Sequence, residues 1–258
     1  MSRSGAGRGR HSLSEGLTVI PMLCAALPVL WLLYCSFRYS RYVIGSNPLS
    51  SPTSLTLGNY TTAFDAGSIL PHELFNSVLI TVGAIAICLT VGTLAGYSLS
   101  KLGWSRRVTF AVLGLAVLIQ LMPPVTLLPG LYVTLDRLGL LGSVAGLVLA
   151  NSVMQVPFAT VLMKIYFDVI PKELSEAAAA DGATELTIFR RVILPVASPG
   201  LATAAILVGI FVWNEFLMGL TLSSGTAGAP VTVGIAGLLQ PYSIQFGPMA
   251  AAASVFAH

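Results

Sequence analysis

Between Lys164 and Pro199 the chain reads KIYFDVIPKELSEAAAADGATELTIFRRVILPVASP, 36 residues that carry nine charges between two apolar runs. A connection between neighbouring helices ordinarily takes about two to eight residues, so this one does more than join its flanks. Pro171-Lys172-Glu173 opens a helical stretch, since proline is tolerated in a first turn. Leu174-Ser175-Glu176 then leads into Ala177 to Ala180, which combine high helix propensity with little side-chain bulk. Gly182 relaxes the backbone after them. Glu185, Leu186, Ile188 and Phe189 resume an apolar–polar pattern, Arg190 and Arg191 follow, and Pro195 and Pro199 interrupt the chain. The stretch is read as a short helix pair joined at a glycine, exposing a small-residue face to a partner. A helix lying on lipid headgroups is the other reading; such helices use bulky Leu, Phe and Trp, whereas this face is alanine.

Outward from that stretch the chain is apolar. Of its 258 residues 55% are hydrophobic and 9% charged, against about 25% charged in soluble domains, and the mean hydropathy is +0.85. This excludes a water-soluble globular enzyme, a disordered tail protein and a nucleic-acid binder. A bilayer core needs roughly 20 apolar residues in a helix, and the gaps between charges supply them at 16–37, 74–100, 108–135 and 138–163. A fifth span runs from about Gly200 to Leu222 with Glu215 as its single charge. The last apolar run, 246–258, has 13 residues. It reads as a sixth helix cut short, with a re-entrant or interfacial segment as the alternative.

Lysine and arginine gather on the cytoplasmic side of membrane proteins. Alternating loops place Arg3, Arg8, Arg10, Lys101, Arg106, Arg107, Lys164, Lys172, Arg190 and Arg191 together, leaving Arg38, Arg41 and Arg137 opposite. The N-terminus and the 164–199 loop are therefore expected in the cytoplasm, and the net charge of +3 does not indicate an acidic partner. Residues 1–14 read as a cytoplasmic tail and 15–258 as one transmembrane domain. The first span is longer than a signal-peptide core and is read as uncleaved. The loop 38–73, rich in Ser, Thr and Pro, is expected to form extended and turn structure, with Leu57 to Phe64 and Phe75-Asn76-Ser77 capping the second span. Gly92 and Gly96 have the spacing that lets helices approach closely, and packing is the favoured role. Cys24, Cys35 and Cys88 lie in apolar stretches and read as small hydrophobes, not as disulfide partners.

Catalytic patterns are missing. There is no G-x-x-x-x-G-K-[S/T] phosphate loop, no G-x-S-x-G and no His/Glu cluster, and His11, His72 and His258 share no motif. The chain is read as non-catalytic, without a cofactor or metal of its own. Glu215 is the one ionisable residue within a span, and such residues usually face a cavity or a partner. With Trp213 and Asn214 it is a candidate for the solute path, or for a structural or gating role. Gln120 and Asn151 are polar positions within spans, read with the same two alternatives.

Glu176-Ala177-Ala178, Asp181-Gly182-Ala183, Phe189, Ile193-Leu194-Pro195 and Pro199 resemble the EAA loop of binding-protein-dependent ABC importer permeases. Asn59-Tyr60, Phe75-Asn76-Ser77, Ala95-Gly96-Tyr97-Ser98, Leu138-Gly139-Leu140 and Trp213-Asn214-Glu215 resemble the carbohydrate-uptake, MalG-like branch. The resemblance covers about 16–258. It implies an all-α polytopic helix bundle of about six spans, the MetI-like type I importer permease fold, in which chains complete the sixth span; this one stops at His258 inside it. It further implies that Glu176, Ala177, Ala178, Asp181, Gly182 and Ala183 form the coupling helix on an ATP-binding subunit. The implied partners are a second homologous permease subunit, two ATP-binding subunits holding ATP and magnesium, an external solute-binding protein and a sugar-like solute. The uncharged stretch Ser223 to Gln245 resembles the family's loop toward the binding protein. An ion-coupled carrier, or a membrane assembly subunit that transports nothing, are the alternatives.

Overall fold

The computed structural model describes residues 21, 24–43, 55–65, 68–240 and 243–256. Arg3, Arg8, Arg10 and the tail 1–14 lie outside these. The described residues are mostly helical, with one antiparallel pair of two-residue strands, β1 (Leu239–Gln240) and β2 (Ser243–Ile244), and an isolated bridge between Arg38 and Leu55.

Two helices exceed the thickness of a bilayer core, about 30 Å. They are α4 (Leu70–Lys101) with 32 residues and α7 (Val144–Val169) with 26, roughly 48 and 39 Å long at 1.5 Å per residue. Two further apolar stretches are bent pairs, each a broken span or a re-entrant loop. α5 (Arg106–Leu121) and α6 (Pro124–Arg137) meet at 97°, and Glu185–Val196 meets α11 (Ser198–Trp213) at 72°. Shorter apolar helices are α1 (Cys24–Ser36) and α14 (Phe246–Phe256).

The helices depart from the apolar gaps in three places. The third span is not one helix over 108–135, because Met122 and Pro123 are extended (ψ 129° and 132°), as residues before a proline tend to be. The fourth does not start at 138 or end at 163. It begins behind Ser143, whose hydroxyl accepts the Gly146 N–H, and runs on through Lys164, which pairs with Asp168 one turn later at 2.6 Å. The fifth stops at Trp213. Asn214–Phe216 break it, and α12 (Leu217–Ser223) follows as a separate short helix.

The described residues fall into two compact units. In the unit of Met1–Pro71 with Gly234–His258, α3 (Gly58–Phe64) packs on α14. Asn59 Nδ2 donates to the carbonyls of Ser36 and Arg38 at 2.8 and 2.7 Å, and the Tyr60 hydroxyl bonds to those of Ser36 and Ser254. The expected cap on the second span is thus not made by these residues; they tie the end of α1 to α14. The described part of the 38–73 loop is also not simply extended, since it contains α2 (Ser40–Val43) and α3.

In the unit His72–Val233, α4 lies along α7 through glycine. A Cβ on Gly92 would stand 2.7 Å from Ala159 Cβ, and one on Gly96 2.8 Å from the Lys164 nitrogen. Without a hydrophobic drive between helices in lipid, such backbone contact is what holds them. Around this seam one cluster gathers Ile80, Ala84, Leu128, Leu147, Met154 and Val208, and a second gathers Tyr97, Met163, Phe167, Ile188, Phe189 and Ile193. Cys35 and Cys88 are buried free thiols, and Cys24 is exposed and free.

Candidate functional site

The alanine run forms α8 (Lys172–Ala180), none of whose residues is buried. Its end is a Schellman motif. Gly182 N–H donates to Ala179 C=O and Ala183 N–H to Ala178 C=O, both at 3.0 Å, with Gly182 at φ +82°. Ala178 and Ala183, half-buried, rest on the second cluster, while Glu176, Ala177, Asp181 and Gly182 face outward. A short helix is thus held at one edge and bare over the rest.

The chain after it is firmly seated. Thr184 caps α9 (Glu185–Ile188) through the Thr187 N–H, and a π-helical turn, Phe189–Ile193, follows. Ile188, Phe189 and Ile193 are buried, whereas Arg190 and Arg191 are exposed. The Tyr97 ring of α4 meets Phe189 at 4.7 Å and Phe167 at 5.7 Å between centroids. Its hydroxyl donates to Glu185 Oε1. Just before α8, Lys101 Nζ donates to the Ile170 carbonyl at 2.7 Å, and Ser100 Oγ to Asp168 at 2.7 Å.

A second polar group lies towards the Leu70 end of α4. The Glu215 carboxylate accepts the backbone N–H groups of Met218 at 2.8 Å and Gly219 at 3.2 Å, at the start of α12. An acceptor placed there satisfies donors that a new helix leaves open. Asn214 Nδ2 bonds back to the Ile210 carbonyl at 2.8 Å, closing α11. Glu215, Trp213, Asn151 and Ser77 line a cavity of about 10 Å³, room for about one water. Asn151 donates to Leu147 C=O within α7 at 2.9 Å, and Gln120 of α5 to Met154 C=O of α7 at 2.6 Å. Trp213, Glu215 and Asn151 are therefore brought together, and Gln120 stands apart on another helix contact.

The sequence reading did not single out Tyr97, Lys101 and Asp168 as site residues, nor the use made of Asn76 and Ser77. Asn76 Nδ2 donates to the carbonyls of Ala227 and Ala229 at 2.8 and 2.9 Å, and Ser77 Oγ accepts the Val231 N–H at 2.9 Å. These two residues, inside α4 and not at its cap, hold the loop 224–231. Thr226 adds a bond to Gly142 C=O at 2.8 Å. The signal available for Asn76 was a polar pair near the start of an apolar helix. For Tyr97 it was a hydroxyl-bearing ring beside the glycine seam.

Residues 88–257 match the family model described as "Binding-protein-dependent transport system inner membrane component". The trehalose transport system permease protein SugB of Mycobacterium tuberculosis is 34% identical over 212 residues, 82% of this chain and 76% of that protein. The diacetylchitobiose uptake system permease protein NgcG of Streptomyces coelicolor is 30% identical, covering 98% of this chain and 83% of its own. The fold is similar to a chain in the crystal structure of a bacterial ABC transporter involved in the import of the acidic polysaccharide alginate. There the TM-score is 0.78 at 22% identity, over 99% of this chain and 94% of that one.

Proposed function

This chain belongs to the family of binding-protein-dependent transport system inner membrane components, and from that premise we propose how it divides the work of import. It is a multi-pass permease subunit of an ABC importer, working with ATPase and substrate-binding partners. The solute is a carbohydrate or a related polar molecule; the relatives named for trehalose and for diacetylchitobiose support this. ATP and magnesium are held by partner subunits, two in number, and the pore is completed by a second, homologous permease. The N-terminus and α8 face the cytoplasm. Neither an ion-coupled carrier nor an assembly subunit is favoured by the family match.

The observation that carries the division of labour is α8. Its outward residues Glu176, Ala177, Asp181 and Gly182 are small or acidic and exposed, so a groove on an ATP-binding subunit can close over them without displacing bulk. Ala178 and Ala183 face the other way, onto the second cluster. Rigid seating of α9 and the π turn lets a pull on α8 reach the spans. The cavity beside Trp213, Asn151 and Glu215 has room for about one water, which supports a gating or structural role for these residues; Asn214, exposed and closing α11, is assigned a structural role. Gln120 acts as a helix–helix tie.

The test is purification of the tagged chain from native membranes in mild detergent, followed by an ATPase assay. ATPase activity is expected to accompany the unaltered protein and to be lost from a Glu176→Lys variant. Full co-purifying activity in that variant would refute docking through α8.

A further inference from the structure

We propose that Tyr97 and Glu185 form the latch that transmits movement of α8 to α4, with Tyr97 acting as a positioning residue. The proposal rests on the docking of α8 given above. Tyr97 sits in α4, 5% exposed, and reaches across 88 positions of sequence to Glu185. Glu185 begins α9 and is exposed. On the other side of α8, Lys101 of the same helix α4 holds the Ile170 carbonyl. One transmembrane helix therefore grips the chain just before and just after α8, although no residue of α8 itself is buried.

The two halves of Tyr97 do different things. Its ring, between Phe167 and Phe189, fills space and serves stability. Its hydroxyl makes the bond to Glu185, a hydrogen bond to a charged group, stronger than a neutral one. Phenylalanine at position 97 keeps the ring contacts and removes only the bond. Losing a bond at an exposed carboxylate costs the fold little, because water takes up the freed oxygen. A merely structural role therefore predicts that Tyr97→Phe is nearly silent. A latch predicts that the ATP-binding subunits stay docked yet are released from the mechanical restraint that a joined α4 imposes on their closure.

The whole transporter, purified with its partner subunits into lipid nanodiscs, is assayed with ATP alone. Tyr97→Phe and Glu185→Ala are each expected to raise the basal ATPase rate about three- to tenfold, the range of an ordinary net hydrogen bond, since water replaces part of this one at the exposed carboxylate, with subunit composition unchanged. The double variant is expected to rise no further than either single one. Glu185→Gln keeps a carbonyl acceptor and is expected to stay near the unaltered rate. An unchanged rate in Tyr97→Phe overturns the latch. So does a rate that falls because ATP-binding subunits are lost, which would assign the pair to assembly. If Glu185→Gln behaves like Glu185→Ala while Tyr97→Phe is silent, Glu185 meets a partner by charge and the latch is again overturned. Failure of docking itself is read separately, from retention of ATPase in Glu176→Lys.

Discussion

Gly182 holds a left-handed cap conformation that most side chains adopt only with strain. Its φ of +82° lies where a side chain is disfavoured, while the space around an added Cβ is empty. The cost of substitution is thus in the backbone alone, about 1–2 kcal/mol for an L-residue forced left-handed. Gly182→Ala is expected to lower uptake partially. Gly182→Pro also removes the N–H that holds Ala179 C=O and fixes φ near −65°. It is expected to abolish uptake while the protein remains in the membrane fraction at normal abundance. Immunoblotting of membranes beside an uptake assay separates the two effects, and normal uptake by Gly182→Pro would remove Gly182 from the coupling path.

Among the elements, the α4–α7 seam is the tightest test of packing. Leucine at Gly92 must displace Ala159 and the backbone of Thr160, not just a flexible side chain. Overpacking of this kind costs about 1–3 kcal/mol or more, so Gly92→Leu is expected to lower the melting temperature and the yield of folded protein. Gly114, mid-helix in α5 with nothing within 4 Å of an added Cβ, provides the contrast. Gly114→Ala is expected to leave the melting temperature unchanged or raise it, since helix propensity favours alanine by up to about 1 kcal/mol. These elements were legible to different degrees. Apolar gaps between charges located four hydrophobic segments, because charge is costly in lipid; the fifth was traced across Glu215 and the sixth from an apolar run alone. The same rule failed at Lys164, where an i, i+4 partner, Asp168, lets the helix continue past a charge. It also missed the bend at Pro123-Pro124, since hydropathy does not register backbone geometry. Glu215 was visible as a charge in an apolar run, but not that its carboxylate ends one helix by starting the next.

At the scale of the whole molecule, residues far apart in sequence are what the reading could not join. Asn76 and Ser77 meet residues 227–231, and Tyr97 meets Glu185; neither pairing has a local signature. The consequence of the first is a loop tip, Ser224 to Ala227, that is exposed and held on a fixed base. A cysteine at Ser224 is expected to crosslink to the solute-binding protein in intact cells through a short reagent carrying a maleimide for the thiol and a succinimidyl ester for a lysine of the binding protein. Failure along the whole tip, in cells where uptake is normal, would show that this loop does not face the binding protein.

The glycine seam has a mechanical consequence. Gly92 and Gly96 lie one turn apart, and an added Cβ at either would meet the backbone of α7 within about 3 Å. Tyr97 directly follows this clamp, whereas Asn76 lies sixteen positions before Gly92, about 24 Å along the helix at 1.5 Å per residue. Between them, Gly83 meets α7 only through the Val148 side chain, a contact that can yield. The two helices are thus like boards screwed together at one end, where any displacement is shared, and merely leaning on each other toward the end that holds the 224–231 loop.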